Sequence, residues 1–149
     1  MATKVYDRVV IKRRQEETGE WSIPVTVPGT INSESGEVLE FSVFEYDKSV
    51  EIPRKRYTKW FDYDKITNCL ELRNRRSGDY LIISAGGNKK SVKEYFIEEK
   101  VPREERDKQI LLVDGSHILW VVGMRISEDV KVTEQTHTIL QETVLDKDE

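Results

Sequence analysis

The sequence predicts an α+β domain of mainly antiparallel strands, closed as a barrel-like or sandwich arrangement, with one or two short helices around residues 91–108. Three observations predict it. Apolar and polar residues alternate in short runs through most of the chain, as half-buried strands require. Turn residues punctuate those runs at close intervals, Pro28-Gly29, Gly78-Asp79 and Asp114-Gly115 among them. Helical punctuation occurs in one stretch only, where Ser91 precedes Glu94 by three positions and Pro102 is followed by Glu104 and Glu105. A chain of 149 residues can bury one sizeable core and is short for two ordinary domains, so residues 1–149 are read as a single domain.

The elements follow in order. Val5, Val9, Val10 and Ile11 make an apolar run, and Trp21, Ile23, Val25 and Val27 alternate up to Pro28-Gly29. Pro24 lacks a backbone donor, so that segment is expected at a sheet edge or as an extended arm. Turn residues 32–36 lead into Leu39, Phe41 and Val43, a strand over 38–46. Arg54 to Phe61 (RKRYTKWF) mixes basic and aromatic residues. Such a composition can hold and stack on a nucleic-acid backbone, although Trp60 and Phe61 more commonly anchor a core. Residues 69–72 and 80–84 read as strands of a hairpin turning at 76–79, which lifts Arg73, Arg75 and Arg76 along a sheet edge.

Ser91 is expected to cap a helix whose apolar face is Val92, Tyr95 and Phe96, and a second short helix follows Pro102. Residues 110–113 and 117–122 flank Asp114-Gly115, the type I′ hairpin signal. A brief helical turn is expected within 127–132, and Thr136 to Val144 alternates as a last strand before an acidic tail.

Net charge is −4, but it is unevenly spread. Residues 54–93 carry eleven Lys or Arg against four acids, a net +7, leaving thirteen basic and twenty-four acidic residues, a net −11, elsewhere. Two readings stand: an electrostatic footprint for a polyanion within an acidic surround, or a charge-mixed solvated surface. No apolar run approaches a membrane span or signal core, and a cytoplasmic protein is expected. One cysteine, Cys69, allows no intrachain disulfide, and His117 and His137 do not complete a metal set. Cys69 is read as a small buried hydrophobe. Asp62 and Asp64 are read as turn chemistry rather than as metal ligands.

The segment Ser84 to Lys93 (SAGGNKKSVK) places Gly86 and Gly87 and three lysines at the expected helix start. Unpaired N–H groups beside Lys89, Lys90 and Lys93 are what an anionic oxygen needs, so phosphate is the first ligand to consider. The arginine forks match phosphate geometry, and edge cations also block strand-to-strand aggregation. The spacing around Gly86-Gly87 is not that of a Walker loop, and no nucleophile with a local base stands out. No catalytic residue is assigned.

Several motifs in order carry a family resemblance: Arg73-x-Arg75-x-x-Gly78-Asp79; Lys89-Lys90-x-x-x-Tyr95-Phe96-Ile97; Lys100-Val101-Pro102-Arg103-Glu104-Glu105-Arg106-Asp107; and His117-Ile118-Leu119-Trp120-Val121-x-Gly123-x-Arg125-Ile126-Ser127. Together they resemble the C-terminal domain of the tRNA(Ile)-lysidine synthetases. The specific match covers about residues 60–140, while 1–59 resemble the upstream strands loosely and 141–149 form the acidic tail. Ile110 departs from the proline of many relatives, and the loop 84–88 varies.

The resemblance implies an ATP-dependent ligase that joins lysine to the wobble cytidine of the minor isoleucine tRNA with a CAU anticodon, using ATP with magnesium. It places that chemistry in an N-terminal catalytic domain with an S-G-G-x-D-S loop. Asn88-Lys89-Lys90 follows Gly87 here instead, so no ATP site or other cofactor is carried over and this piece of a longer protein is expected to be inactive by itself. What it implies for this chain is a grip on tRNA near the acceptor stem. Arg73, Arg75, Arg76, Lys89, Lys90, Lys93, Arg103 and Arg106 are then the expected tRNA contacts, reading phosphate, 2′-hydroxyl and shape on an A-form stem. The alternative is a non-catalytic β-rich scaffold that docks on the catalytic domain.

Overall fold

A computed structural model describes residues 19–33, 35–67 and 69–147; the expected strand around Val5 to Ile11 lies outside them. Ten strands and two short helices follow in chain order: β1 Ser22–Pro24, β2 Gly29–Asn32, β3 Val38–Glu45, β4 Thr58–Asp62, β5 Leu70–Arg73, β6 Tyr80–Ile82, β7 Lys89–Ser91, α1 Val92–Glu98, α2 Arg103–Arg106, β8 Leu111–Asp114, β9 His117–Val121 and β10 Thr138–Val144. They form a six-stranded sheet ordered β1-β5-β8-β9-β6-β7 and a four-stranded sheet ordered β2-β3-β10-β4. All pairings are antiparallel except β6 with β9. The α+β class is as expected.

The sequence pattern builds three layers. Leu39, Phe41, Phe61, Leu140 and Val144 of the smaller sheet meet Leu70, Leu72, Leu112 and Trp120 of the larger one in the main core. The other face of the larger sheet presents Leu81, Leu111, Val113, Ile118 and Val121 to Val92, Tyr95 and Phe96 of α1. A β-bulge serves this arrangement. Leu112 pairs with Trp120 and Val113 with Ile118, so Leu119 is the extra residue and joins Trp120 in the main core.

Several strands stand where expected. β1, with Pro24, is an edge strand of the larger sheet, as a missing backbone donor demands. Trp60 and Phe61 are core residues. Asp62 accepts from the backbone N–H of Asp64 and from Thr136 Oγ1, and Asp64 accepts from the His137 N–H, so both carboxylates serve turns. That N–H bond holds the Asp64 carboxyl below its usual range. A 3₁₀ turn covers Glu128–Val130.

Three expectations are corrected. β5 and β6 do not pair: β5 lies between β1 and β8, away from any edge, and residues 74–79 cross from β5 to the far side of the β8–β9 hairpin. The β8–β9 turn is centred on Gly115 and Ser116, one residue later than Asp-Gly, with Asp114 paired to His117. Gly115 takes φ +69 while Ser116 stays at negative φ, which is the type II′ pattern, with glycine first. Asp114 is thereby freed to accept from the backbone N–H and hydroxyl of Thr67. Cys69 is exposed.

Candidate nucleic-acid interface

The turn after β5 is organised by a buried ion pair. Arg73 donates from Nη2 to Asp79 Oδ1 at 2.8 Å and from Nη1 to Oδ2 at 2.9 Å, with side chains only 7% and 1% exposed. The same guanidinium reaches the carbonyls of Asn74 and Gly115. Asp79 also accepts from the Arg76 N–H at 2.7 Å, and Gly78 takes φ +89 to bring it there. Arg73 therefore ties the 74–79 turn to the β8–β9 turn. With both Nη atoms engaged and its side chain buried, it offers no fork to a ligand, which corrects its place among the expected contacts.

Asn74, buried in the middle of this arginine-rich segment, is a hub. Its amide accepts from the Trp21 N–H and donates to the carbonyls of Gly19 and Asp107. Arg76 extends the same network, with Nη1 to Asn74, Nη2 to the Trp21 carbonyl and Nε 3.3 Å from the Glu20 carboxylate. Arg75 differs. Only its Nε is used, donating to Asp107 Oδ1 at 2.8 Å, while its guanidinium carbon sits 6.0 Å from the Phe96 ring centre. Among the described residues its two Nη groups carry no hydrogen bond, and they present the free fork that Arg73 lacks.

Helix α1 starts where the capping box put it. Ser91 Oγ accepts from the Glu94 N–H at 3.1 Å. The Val92 N–H donates to the Asp79 carbonyl at 3.1 Å. These two donors of the first turn are consumed by the protein, and the helix start docks on the 74–79 turn. The glycine loop is likewise self-satisfied: Gly87, at φ +89, donates to the Ser84 carbonyl, and Asn88 to Ser84 Oγ. It closes the β6–β7 hairpin. Ser91→Ala is expected to cost about 1 kcal/mol, read as a lowered urea midpoint at unchanged slope.

Docking α1 in this way sets Lys93 beside the arginines. Arg75, Arg76, Ser77, Gly78, Ser91 and Lys93 line a cleft of about 490 Å³, with Glu20, Asp79 and Asp107 also at its wall. Of the expected contacts, the structure brings Arg75, Arg76 and Lys93 together. The other five, the buried Arg73 among them, do not line this cleft. Lys89 stands 4.4 Å over the Tyr80 ring, which stacks on His117 at 5.3 Å. Lys90 is paired with Glu98. Arg106 donates to the Val101 carbonyl, holding the start of α2, and Arg103 is exposed.

His117 is bonded to Asp129 at 3.1 Å and His137 is 3.5 Å from Asp64, two pairs on different elements. No group of three His, Cys, Asp or Glu side chains that could hold a metal ion occurs among the described residues. The geometry is that of a surface presenting guanidinium and ammonium donors to an oxyanion. Sequence reasoning missed Asn74 and Asp107, which decide which arginines are free. The one signal for them was an asparagine set among arginines in a turn, where its amide caps backbone.

Comparison with known proteins places this fold. The model of the TilS substrate C-terminal domain family matches residues 70–142, which include the buried pair, both helices and the cleft except for Glu20. The tRNA(Ile)-lysidine synthase of Caldanaerobacter subterraneus subsp. tengcongensis is 35% identical over 140 residues, 93% of this chain and 30% of that protein. The Clostridium perfringens tRNA(Ile)-lysidine synthase is 37% identical over 73% of this chain and 23% of its own length. The chain thus spans less than a third of the relatives it matches. A crystal structure of a TilS C-terminal domain superimposes with a TM-score of 0.68 at 27% identity, over 87% of this chain and all of that one. Matching motifs, a matching fold and relatives of one name lead to one conclusion: the chain belongs to the TilS substrate C-terminal domain family.

Proposed function

We propose that this chain is the tRNA-binding module of a tRNA(Ile)-lysidine synthase. In this reading the parent ligase uses ATP with magnesium to attach lysine to the wobble cytidine of the isoleucine tRNA with a CAU anticodon. The work is divided. The catalytic N-terminal part of the parent carries the chemistry, and the present domain grips the tRNA near its acceptor stem, in the cytoplasm. The observation that carries the reading is the convergence of the Arg75 fork and Lys93 on one cleft within the segment that matches the family.

An A-form stem hides its base edges in a deep major groove and displays phosphates and 2′-hydroxyls. Arg75 can take two oxygens of one phosphate while Phe96 and Asp107 hold its plane, and Lys93 supplies a point charge beside it. Lys89 and Arg103, exposed outside the cleft, serve as flanking contacts. Arg76, whose two Nη groups are spent on Asn74 and Trp21, and Lys90, paired with Glu98, contribute less.

The test is titration of a CAU isoleucine tRNA transcript with this chain across a salt series. Saturable binding that weakens with salt is expected, and Arg75→Glu/Lys93→Glu is expected to raise Kd by at least about tenfold and to flatten the salt slope by about two units. A folded chain that shows no binding at low salt would instead favour a scaffold docked on the catalytic domain.

A further inference from the structure

A second group of cations, outside the cleft and unused by the reading above, converges from three distant parts of the chain. Tyr57 is its centre. The Arg56 guanidinium carbon lies 5.4 Å from the Tyr57 ring centre and Lys147 Nζ lies 5.7 Å from it. Arg56 Nε also donates to the Gly123 carbonyl at 2.8 Å. Gly123 itself, at φ +82, leaves the space the ring needs, since a Cβ there would come within 3.0 Å of Tyr57 Cε1. The ring is thus fixed, and it holds two like charges at one place.

Tyr57, Lys108, Lys147 and Gln109 line a pocket of about 320 Å³. Glu37 and Glu105 line it too, balancing the two lysines, so the pocket is not itself an anion hole. Glu37 is engaged by the hydroxyls of Ser33 and Ser35. The positive excess comes from Arg56, over the Tyr57 ring that lines the pocket, with the exposed Arg54 and Lys55 preceding it in the chain. None of Arg54, Lys55, Arg56, Lys108 and Lys147 has a carboxylate within 4 Å among the described residues. In the first cleft, by contrast, both arginines are paired with acids. The two places adjoin. Asp107 lines the first, while Glu105, Lys108 and Gln109 line the second, so residues 105–109 form a wall with basic ground on either side.

We infer that Arg54, Lys55, Arg56, Lys108 and Lys147 form a second contact for a phosphodiester backbone, so that an RNA seated at Arg75 and Lys93 continues across the 105–109 wall onto this patch. The inference rests on the RNA-binding reading of the first cleft and extends its footprint. Arg56 and Lys147, held over one ring, repel each other in the free domain, and a polyanion relieves that repulsion.

The experiment is the same titration of the CAU isoleucine tRNA transcript, with Lys55→Glu/Lys108→Glu/Lys147→Glu set beside Arg75→Glu/Lys93→Glu. Arg56 is left intact because its bond to Gly123 is structural, and circular dichroism confirms that each variant is folded. The triple variant is expected to bind at least about tenfold more weakly, with the slope of log K against log salt flattened by about two to three units. Unchanged affinity and slope in the triple variant, while Arg75→Glu/Lys93→Glu binds more weakly, would overturn this inference and leave the first cleft standing. Absence of binding by the unmutated chain would overturn both.

Discussion

Asp79→Ala is expected to cost this domain about 3–5 kcal/mol, because it strands the Arg73 guanidinium in a site from which water is excluded. Neither side chain is more than 7% exposed, and the carboxylate receives both Nη groups of Arg73 and the Arg76 N–H. Its loss leaves charge-assisted donors without an acceptor and unpins the 74–79 turn from the β8–β9 turn. For a domain of this size the melting temperature should fall by roughly 10 °C. The pair also positions the cleft, since the Asp79 carbonyl holds the first N–H of α1. Arg73→Ala/Asp79→Ala should therefore lose less stability than the two single losses combined, while still weakening RNA binding. A loss below about 1 kcal/mol in Asp79→Ala would show that the guanidinium rehydrates freely and that the pair does not hold the turn.

The second large effect has the opposite sign. Glu142 lies mid-strand in β10, fully buried, and neither carboxylate oxygen has a hydrogen-bond partner. Phe41 on β3 and Lys59 on β4 are its register neighbours. Burial pushes its carboxyl well above the ordinary value of 4.5. The folded chain thus holds this proton to a higher pH than the unfolded chain does. The associated stability is fully present below the unfolded value and is lost as pH rises through the folded one. Glu142→Met keeps an unbranched side chain of similar length and removes the orphan oxygens. It should stabilise the domain by about 1–3 kcal/mol at pH 8, an advantage that shrinks toward pH 4. Urea unfolding of both proteins across that range measures it. A difference that does not change with pH would mean that Glu142 keeps no proton in the folded state.

The fold was legible wherever local periodicity and caps carry it. Ser91 with Glu94 located the start of α1 to the residue, and the alternation of Leu39, Phe41 and Val43 located β3. Pairing was not. A strand run such as Leu70–Arg73 looks the same whether its partner is the next strand or one forty residues on, and β5 in fact lies between β1 and β8.

The site was legible as a segment but not residue by residue. Charge and motif drew attention to Arg73, Arg75 and Arg76 alike, yet what separates them is tertiary. Asp79 and Gly115 consume the first, Asn74, Trp21 and Glu20 the third, and Asp107 leaves the second with a free fork. The patch on Tyr57 was half legible. Its basic run stood out, but its meeting with Lys108 and Lys147 depends on contacts between residues about fifty and ninety positions apart.

Hydroxyl-radical footprinting of the CAU isoleucine tRNA, with and without this chain, tests the central claim most directly. Protection of consecutive sugars along the acceptor stem, lost in Arg75→Glu/Lys93→Glu, is the result predicted. Protection confined to the anticodon arm, or protection unaffected by that substitution, would contradict it.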